Sequence, residues 1–386
     1  MINYGKQYID DQDIKLVVKT LRSGFITQGP RVKEFENILK KKFKSKFCIA
    51  VANGTAALHL VGLSLGWKSG DIVITTPLSF IATSNCIVYA GATPCFVDID
   101  RSTYNIDVNK LEKKIKSLKN NNKKISGIIA TDYAGQPCDW LNLKRISKKY
   151  KVPLINDNCH AIGASYKGDE SYAIKHADFV TQSYHAVKQI TTGEGGAIFT
   201  NNSKLEKKIR ILRSHGVTRD KKEILNSHGP WYYEMKEMGY NYRITDFQCS
   251  LGISQIKKIN KFIKRRRDIA AIYNDAFKDS KIFEIPKVNS LSRHAYHIYP
   301  LLINFEKLKI NKKLLFQKMF KNKINLQVHY IPIHLQPYYK KNFNYRNGDF
   351  PFAENFYKKE VSLPIYYSLT NLQIYKVIKL IKKLCI

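Results

Sequence analysis

Lys188 lies in the stretch Gln182-Ser183-Tyr184-His185-Ala186-Val187-Lys188, with Gln189-Ile190-Thr191-Thr192-Gly193-Glu194-Gly195-Gly196 directly after it. A strand-like run, Ala177 to Thr181, delivers a hydroxyl, an aromatic ring and an imidazole to one place. One lysine follows, and a glycine-rich turn then leads into the apolar run Ala197 to Phe199. A lysine fixed between a strand end and a tight turn, among hydroxyls, is placed to form a Schiff base with an aldehyde cofactor. The alternative is a solvated lysine, the role of most lysines in a chain with 65 Lys and Arg.

Two further features bear on that choice. Val51-Ala52-Asn53-Gly54-Thr55-Ala56-Ala57 leaves a strand through glycine and opens a helix. Free amides, the helix dipole and the Thr55 hydroxyl make such a start a seat for phosphate; a plain helix start capped by Asn53 or Thr55 is the other reading. Val152-Pro153-Leu154-Ile155-Asn156-Asp157 ends a buried strand on an acid. Asp157 could pair with the protonated ring nitrogen of pyridoxal phosphate and keep that ring an electron sink, or cap the following turn. Lys188 comes 31 positions after Asp157, close to the length of one βαβ step. That spacing predicts one crevice for Asp157 and Lys188, with Gly54 and Thr55 at its phosphate end.

The elements that must position these residues are legible as alternation. Strand-like runs are Phe47 to Val51, Ile72 to Thr76, Pro94 to Val97, Ile125 to Thr131, Val152 to Asn156, Phe179 to Gln182 and Ala197 to Thr200. Helix-patterned stretches such as Thr55 to Leu65, Phe80 to Ala90 and Leu111 to Leu118 lie between them. Alternation of this kind predicts an α/β fold, a mostly parallel sheet covered on both faces, with ligands beyond the carboxyl ends of the strands. Residues 216–239 read as a long loop, and Thr245 to Gln248 as a capping box opening a helix to about Ala276. A smaller α+β unit follows: a strand from Ala295 to Ile303, a helix from Lys312 to Lys321, a strand from Asn325 to Tyr330 and a last helix from Asn371. The predicted division is a large domain over 1–255 and a connecting helix with a small domain over 256–386.

Composition narrows the function classes. The 386 residues are 44% hydrophobic, and no apolar run approaches the ~20 residues of a membrane span. No basic start with an apolar core opens the chain, and the seven cysteines show no CxxC spacing, which together predict a cytoplasmic protein with reduced thiols and no metal centre. The net charge of +34 suggests a nucleic-acid binder. The lysines, however, are spread along the chain without a recognisable nucleic-acid motif, so solvated faces are the reading adopted, with no nucleic-acid or membrane partner.

The stretches Phe47 to Leu58, Thr75 to Thr83, Asn156 to Gly163 and the Lys188 segment with its Thr-Thr-Gly-Glu-Gly-Gly tail resemble the DegT/DnrJ/EryC1/StrS family of nucleotide-sugar aminotransferases, which use pyridoxal 5'-phosphate. The likeness runs from Tyr4 to the C-terminus. Within the family, Asp132 to Gly135, Arg213 to Gly216, Gly239 to Arg243 and Gln327 to Pro332 resemble the branch that aminates C4 of a UDP-linked 4-keto-6-deoxy-N-acetyl-hexosamine for pseudaminic acid.

The resemblance implies the aspartate aminotransferase fold (fold type I), a homodimer with sites at the subunit interface, and L-glutamate as amino donor. Lys188 would carry the cofactor and shuttle the proton, Asp157 would hold the ring nitrogen, and His160 would approach the phenolic oxygen. Phe80 would stack on the ring. Gly54, Thr55 and Ser183 would take the phosphate, joined by Asn241 from the other subunit. Tyr4, Gly24, Phe25, Ile26, Thr27, His329, Tyr330, Ile331 and Pro332 match stretches that contact the nucleotide sugar. Asn156 departs from the family pattern, which often carries an acid there. Related dehydratases carry His in place of the lysine, so Lys188 argues against them. Sister enzymes acting at C3 or C4 of other UDP- or dTDP-sugars share these motifs and are the alternative.

Overall fold

The computed structural model describes residues 1–220, 222–225 and 229–385. Seven strands form the central sheet: β1 Phe47–Val51, β2 Ile72–Thr75, β3 Thr93–Phe96, β4 Ile125–Thr131, β5 Leu154–Asp157, β6 Phe179–Ser183 and β7 Gly196–Thr200. Their order is β1-β7-β6-β5-β4-β2-β3. The pairs β2/β3, β2/β4, β4/β5 and β5/β6 are parallel, while β7 runs antiparallel to both neighbours. The two-residue period of the strands divides their side chains between two cores. Ile128 and Ala130 join Ile74, Leu154, Val180 and Phe199 on one face. Ile129 joins Val73, Ile155, Phe179 and Ile198 on the other. Burial on both faces explains the near-continuous apolar strands.

The helix Gly54–Ser64 is apolar on nearly every side and lies within the second of these cores. The helix Asp11–Leu21, opened by a capping box of Asp10 and Asp13, is held to the helix Asp246–Lys257 by Thr20 Oγ1 on Ser250 Oγ at 2.7 Å. Lys258 reaches the same acids, at 2.6 Å from Asp10 and 2.8 Å from Asp13.

The capping box of Thr245 and Gln248 is present. The single helix expected after it is instead two, Asp246–Lys257 and Ile259–Phe277, broken at Lys258. The second one joins the two parts of the chain. Its Ile259, Phe262 and Ile263 belong to the core of the large sheet, whereas Ile269, Ala270, Tyr273 and Phe277 belong to a separate C-terminal core. That second core covers an antiparallel sheet of β8 Phe283–Glu284, β9 Tyr299–Ile303 and β10 Glu360–Leu363, with β9 central. Ile2 also sits in it, through a bridge to Ile324.

Two other expectations change. Residues 216–239 include a short hairpin, Val217–Thr218 against Glu234–Met235. Asn325 to Tyr330 is not a strand. Around it the backbone meets Ile2 and Ser362 at single bridges, too few for a ladder, and then turns away to line a cavity.

Candidate active site

A cavity of about 430 Å³ opens at the carboxyl ends of β5 and β6. Lys188 enters it from the connection between β6 and β7. Local bonds fix that connection: the Lys188 amide donates to the His185 carbonyl at 2.9 Å, the Thr192 amide to the Tyr184 carbonyl at 2.9 Å, and the Gly193 amide to Thr191 Oγ1 at 2.8 Å. Gly193 has φ +81°, a conformation that glycine adopts without strain. The residue is half-buried, and desolvation of the amine pulls its pKa below the ordinary lysine value. Its Nζ lies 3.4 Å from His297 Nε2.

Asp157 ends β5 and lines the same cavity. Thr83 Oγ1 donates to Asp157 Oδ2 at 2.7 Å, and Ser79 Oγ lies 2.7 Å from Thr83 Oγ1. This chain of hydroxyls turns the carboxylate and, among the described residues, leaves Oδ1 with only the Cys159 amide, at 3.3 Å. Behind it Asn156 donates to Asp132 Oδ2 at 3.1 Å. Buried Asp132 also accepts from Asn158, Tyr172, Trp140 and the Cys138 amide. Burial pushes the Asp132 pKa up, and these donors oppose the shift. The departure at position 156 thus has a physical role: an amide gives Asp132 a proton that an acid there would not.

The opposite end of the cavity is the start of the helix Gly54–Ser64. Asn53 caps the Ala56 amide at 2.8 Å, which leaves the Gly54 and Thr55 amides for a ligand. A Cβ at position 54 would lie 2.8 Å from Ser183 Cβ, so only glycine lets the end of β6 approach this closely. The helix is capped by Asn53, and the cap leaves the first two amides facing the cavity.

His160 and His297 lie against each other beside Lys188, ring centroids 4.4 Å apart and planes tilted by 41°. Burial first, and the Lys188 charge next, pull both imidazoles well below the ordinary histidine value. His160 Nε2 lies 3.0 Å from the Tyr330 hydroxyl, while its Nδ1 is buried without a partner among the described residues. Phe80 meets Tyr330 at 5.9 Å between centroids, and Tyr4 meets His329 at 5.2 Å.

Of the residues predicted from sequence, Tyr4, Gly54, Thr55, Phe80, Asp157, His160, Ser183, Lys188, His329 and Tyr330 are gathered at this cavity. Gly24, Phe25, Ile26, Thr27, Ile331 and Pro332 do not line it. The Ile26 carbonyl and Thr27 are tied instead to the start of the helix Asp246–Lys257, leaving the Phe25 and Ile26 side chains exposed. Ile331 points outward, and buried Pro332 leads into a turn whose Ile333 amide bonds the Pro77 carbonyl. Asn241 is exposed, bridged to Ser214 and away from this chain's own cavity.

Three contributors were not singled out from sequence. His297 sat inside an apolar strand-like run and looked like core. Thr83 and Ser79 carried a usable signal, two hydroxyls four residues apart beside a helix start in otherwise apolar sequence. Among the described residues no cluster of His, Cys, Asp and Glu suits a metal ion.

The residues fit pyridoxal 5'-phosphate. A glycine-lined helix start suits its phosphate, an oriented carboxylate its ring nitrogen, and a desolvated amine its aldehyde, within one cavity.

The sequence model of the DegT/DnrJ/EryC1/StrS aminotransferase family matches residues 7–382. The UDP-4-amino-4,6-dideoxy-N-acetyl-beta-L-altrosamine transaminase of Campylobacter jejuni is 38% identical over 382 residues, covering 98% of this chain and 96% of that protein. Helicobacter pylori PseC, an aminotransferase involved in the biosynthesis of pseudoaminic acid, superimposes with a TM-score of 0.89 at 31% identity over 100% of this chain and 99% of that one. A putative sugar aminotransferase from Streptococcus pneumoniae, Spr1654 in its PMP-form, gives 0.91 at 30% identity with the same coverage; its PLP-form gives 0.89.

Proposed function

The chain belongs to the DegT/DnrJ/EryC1/StrS aminotransferase family, enzymes that depend on pyridoxal 5'-phosphate, and on that premise we propose that it transfers an amino group from L-glutamate to C4 of a UDP-4-keto-6-deoxy-N-acetyl-hexosamine in pseudaminic acid biosynthesis. The observation that carries the proposal is the meeting of Lys188, Asp157 and the Gly54–Ser183 seat in one cavity, in a chain so similar to a transaminase named for that sugar.

When bound, pyridoxal 5'-phosphate supplies the electron sink and holds the amino group between the two half-reactions. The protein supplies position and protons. Gly54, Thr55 and Ser183 hold the phosphate at the helix start. Asp157, turned by Thr83, holds the proton on the ring nitrogen through a charge-assisted bond. Lys188 Nζ, whose pKa burial lowers toward the range of a base, acts as nucleophile and base: it takes the proton from glutamate Cα and delivers one to sugar C4. Phe80 covers one side of the cavity, and Tyr4, His329 and Tyr330 form the wall that meets the sugar.

The active form in this reading is a cytoplasmic homodimer, with Asn241 reaching the phosphate bound in the other subunit. Exposed apolar side chains at Phe25, Ile26, Phe80, Ile81 and Tyr89 are the kind of surface that a partner covers. The strip from Gly24 to Thr27 then belongs to that interface, and Ile331 and Pro332 support the sugar wall from behind. We take residues 1–255 as the cofactor-binding unit and 256–386 as the smaller one.

Discrimination between substrates tests the reading. A pocket that hydrogen-bonds the acetamido group leaves buried polar groups unpaired when a plain hydroxyl takes its place. The UDP-4-keto-6-deoxy-N-acetyl sugar should therefore exceed dTDP-4-keto-6-deoxyglucose in kcat/KM by about tenfold or more. Equal values, or a preference for the dTDP sugar, would overturn the substrate assignment.

A further inference from the structure

Glu360 is a fully buried carboxylate that the chemistry above does not use. It lies on β10, two residues before Ser362, so both side chains face the same side of the strand. Among the described residues no cation lies within salt-bridge distance of it. Its Oε2 accepts from the His329 backbone amide at 3.0 Å, and its Oε1 accepts from the Ser362 hydroxyl. Ser362 Oγ is in turn 2.8 Å from His329 Nδ1. Among the described residues His329 Nε2 has no hydrogen-bond partner, and the ring lines the cavity.

Proton counting fixes the direction of this chain. Burial raises the Glu360 pKa to about 7, so above that pH the carboxylate is ionised and only accepts, while a hydroxyl has one proton to give. Ser362 gives its proton to Glu360, so it must accept from His329 Nδ1–H. A neutral imidazole protonated at Nδ1 has a bare lone pair at Nε2. We propose that Glu360 and Ser362 are positioning residues that hold His329 as the Nδ1–H tautomer, presenting Nε2 to the cavity as an acceptor for a hydroxyl proton of the bound sugar. The sugar part rests on the function proposed above; the tautomer does not. The arrangement selects for a donor at this point of the substrate: a sugar hydroxyl is welcomed, and a phosphate or carbonyl oxygen is repelled.

The relay makes an unusual demand on an isosteric variant. In Glu360→Gln the His329 amide still needs an acceptor and takes the new carbonyl oxygen. The new NH2 group then faces Ser362 and donates to it. Ser362 must now give its proton to His329 Nδ1, which moves the imidazole proton to Nε2 and turns an acceptor into a donor.

The test is 15N NMR of the holoenzyme with labelled histidine, the His329 signals being assigned by their loss in His329→Gln. At about pH 8.5, where Glu360 is ionised, wild-type protein should show a protonated Nδ1 and a bare Nε2, and Glu360→Gln the reverse. In steady-state assays, Glu360→Gln should lose about tenfold or more in kcat/KM for the keto sugar, while the half-reaction with glutamate stays within about threefold. Should Glu360→Gln fail to fold, Ser362→Ala serves instead, with His329 expected to populate both tautomers. A wild-type proton on Nε2, the wild-type tautomer in Glu360→Gln, Ser362→Ala held in a single tautomer, or an unchanged keto-sugar kcat/KM in Glu360→Gln would each overturn the proposal. A wild-type enzyme inactive on every keto sugar would sink the function instead, in an assay separate from the tautomer measurement that decides the relay.

Discussion

An acid in place of Asn156 would face Asp132 across 3.1 Å in a fully buried site. Asn156→Asp is therefore expected to lower stability at pH 7 by about 2–4 kcal/mol, since two carboxylates would share one set of donors without water. Urea unfolding at pH 7 measures this; a loss under about 0.5 kcal/mol would show that Asp132 has another source of protons. Lys188, Asp157, Gly54 and Ser183 were readable because residue type and position coincide: a lysine, an acid, a glycine and a hydroxyl at strand ends or a helix start. Asp132 was not readable as a hub. Its donors come from positions 138, 140, 156, 158 and 172, which only the folded chain assembles. His297 was hidden for a related reason, because one imidazole in an apolar run looks the same whether it packs in a core or touches a lysine.

At the scale of elements, the seat at the start of the helix Gly54–Ser64 depends on close approach by the end of β6. Gly54→Ala sets a methyl 2.8 Å from Ser183 Cβ and forces the two apart. Affinity for pyridoxal 5'-phosphate should fall about tenfold or more, a change of about 1.4 kcal/mol or greater. Titration of the apoprotein with cofactor reads this directly, and an unchanged Kd would remove Gly54 from the site. The strands of the large sheet were legible because burial on both faces makes them short apolar runs, and the βαβ spacing between Asp157 and Lys188 is realised as the parallel neighbours β5 and β6. The segment from Asn325 to Tyr330 misled because its apolar alternation serves to line a cavity. Its neighbours, Ile2 and Ser362, come from opposite ends of the chain, and local pattern carries no trace of them.

Among the described residues six histidines are buried, and burial pulls the pKa of each down, furthest for 160, 294, 297 and 329, with His294 and His329 at about 3. The sign follows from linkage. The unfolded chain takes up these protons near the ordinary histidine value and the folded chain does not, so the stability is present above about pH 6.5 and is lost as pH falls below it. The apoprotein should lose about 1.4 kcal/mol per histidine for the four most shifted, about 5 in all, between pH 7.5 and 5.5. Urea midpoints at the two pH values report it; equal midpoints would mean that these imidazoles accept protons in the fold.

Assembly is the property least visible in one chain, since a site completed by a second subunit leaves only an exposed residue behind. In the proposed dimer, exposed Asn241 is such a residue. Mixed dimers of Lys188→Ala and Asn241→Ala chains, each inactive alone, should recover activity because one of their two sites is intact. No recovery in demonstrated mixed dimers would place Asn241 outside the site.

The central claim is amination of a keto sugar at C4, and following the nitrogen itself tests it most directly. The enzyme, pyridoxal 5'-phosphate, 15N-labelled L-glutamate and the UDP-4-keto-6-deoxy-N-acetyl-hexosamine are combined, and the product is read by NMR. The account predicts 15N bonded to C4 of the sugar with the wild-type chain and no transfer with Lys188→Ala. Label at C3, no label in the sugar, or transfer that survives Lys188→Ala would contradict it.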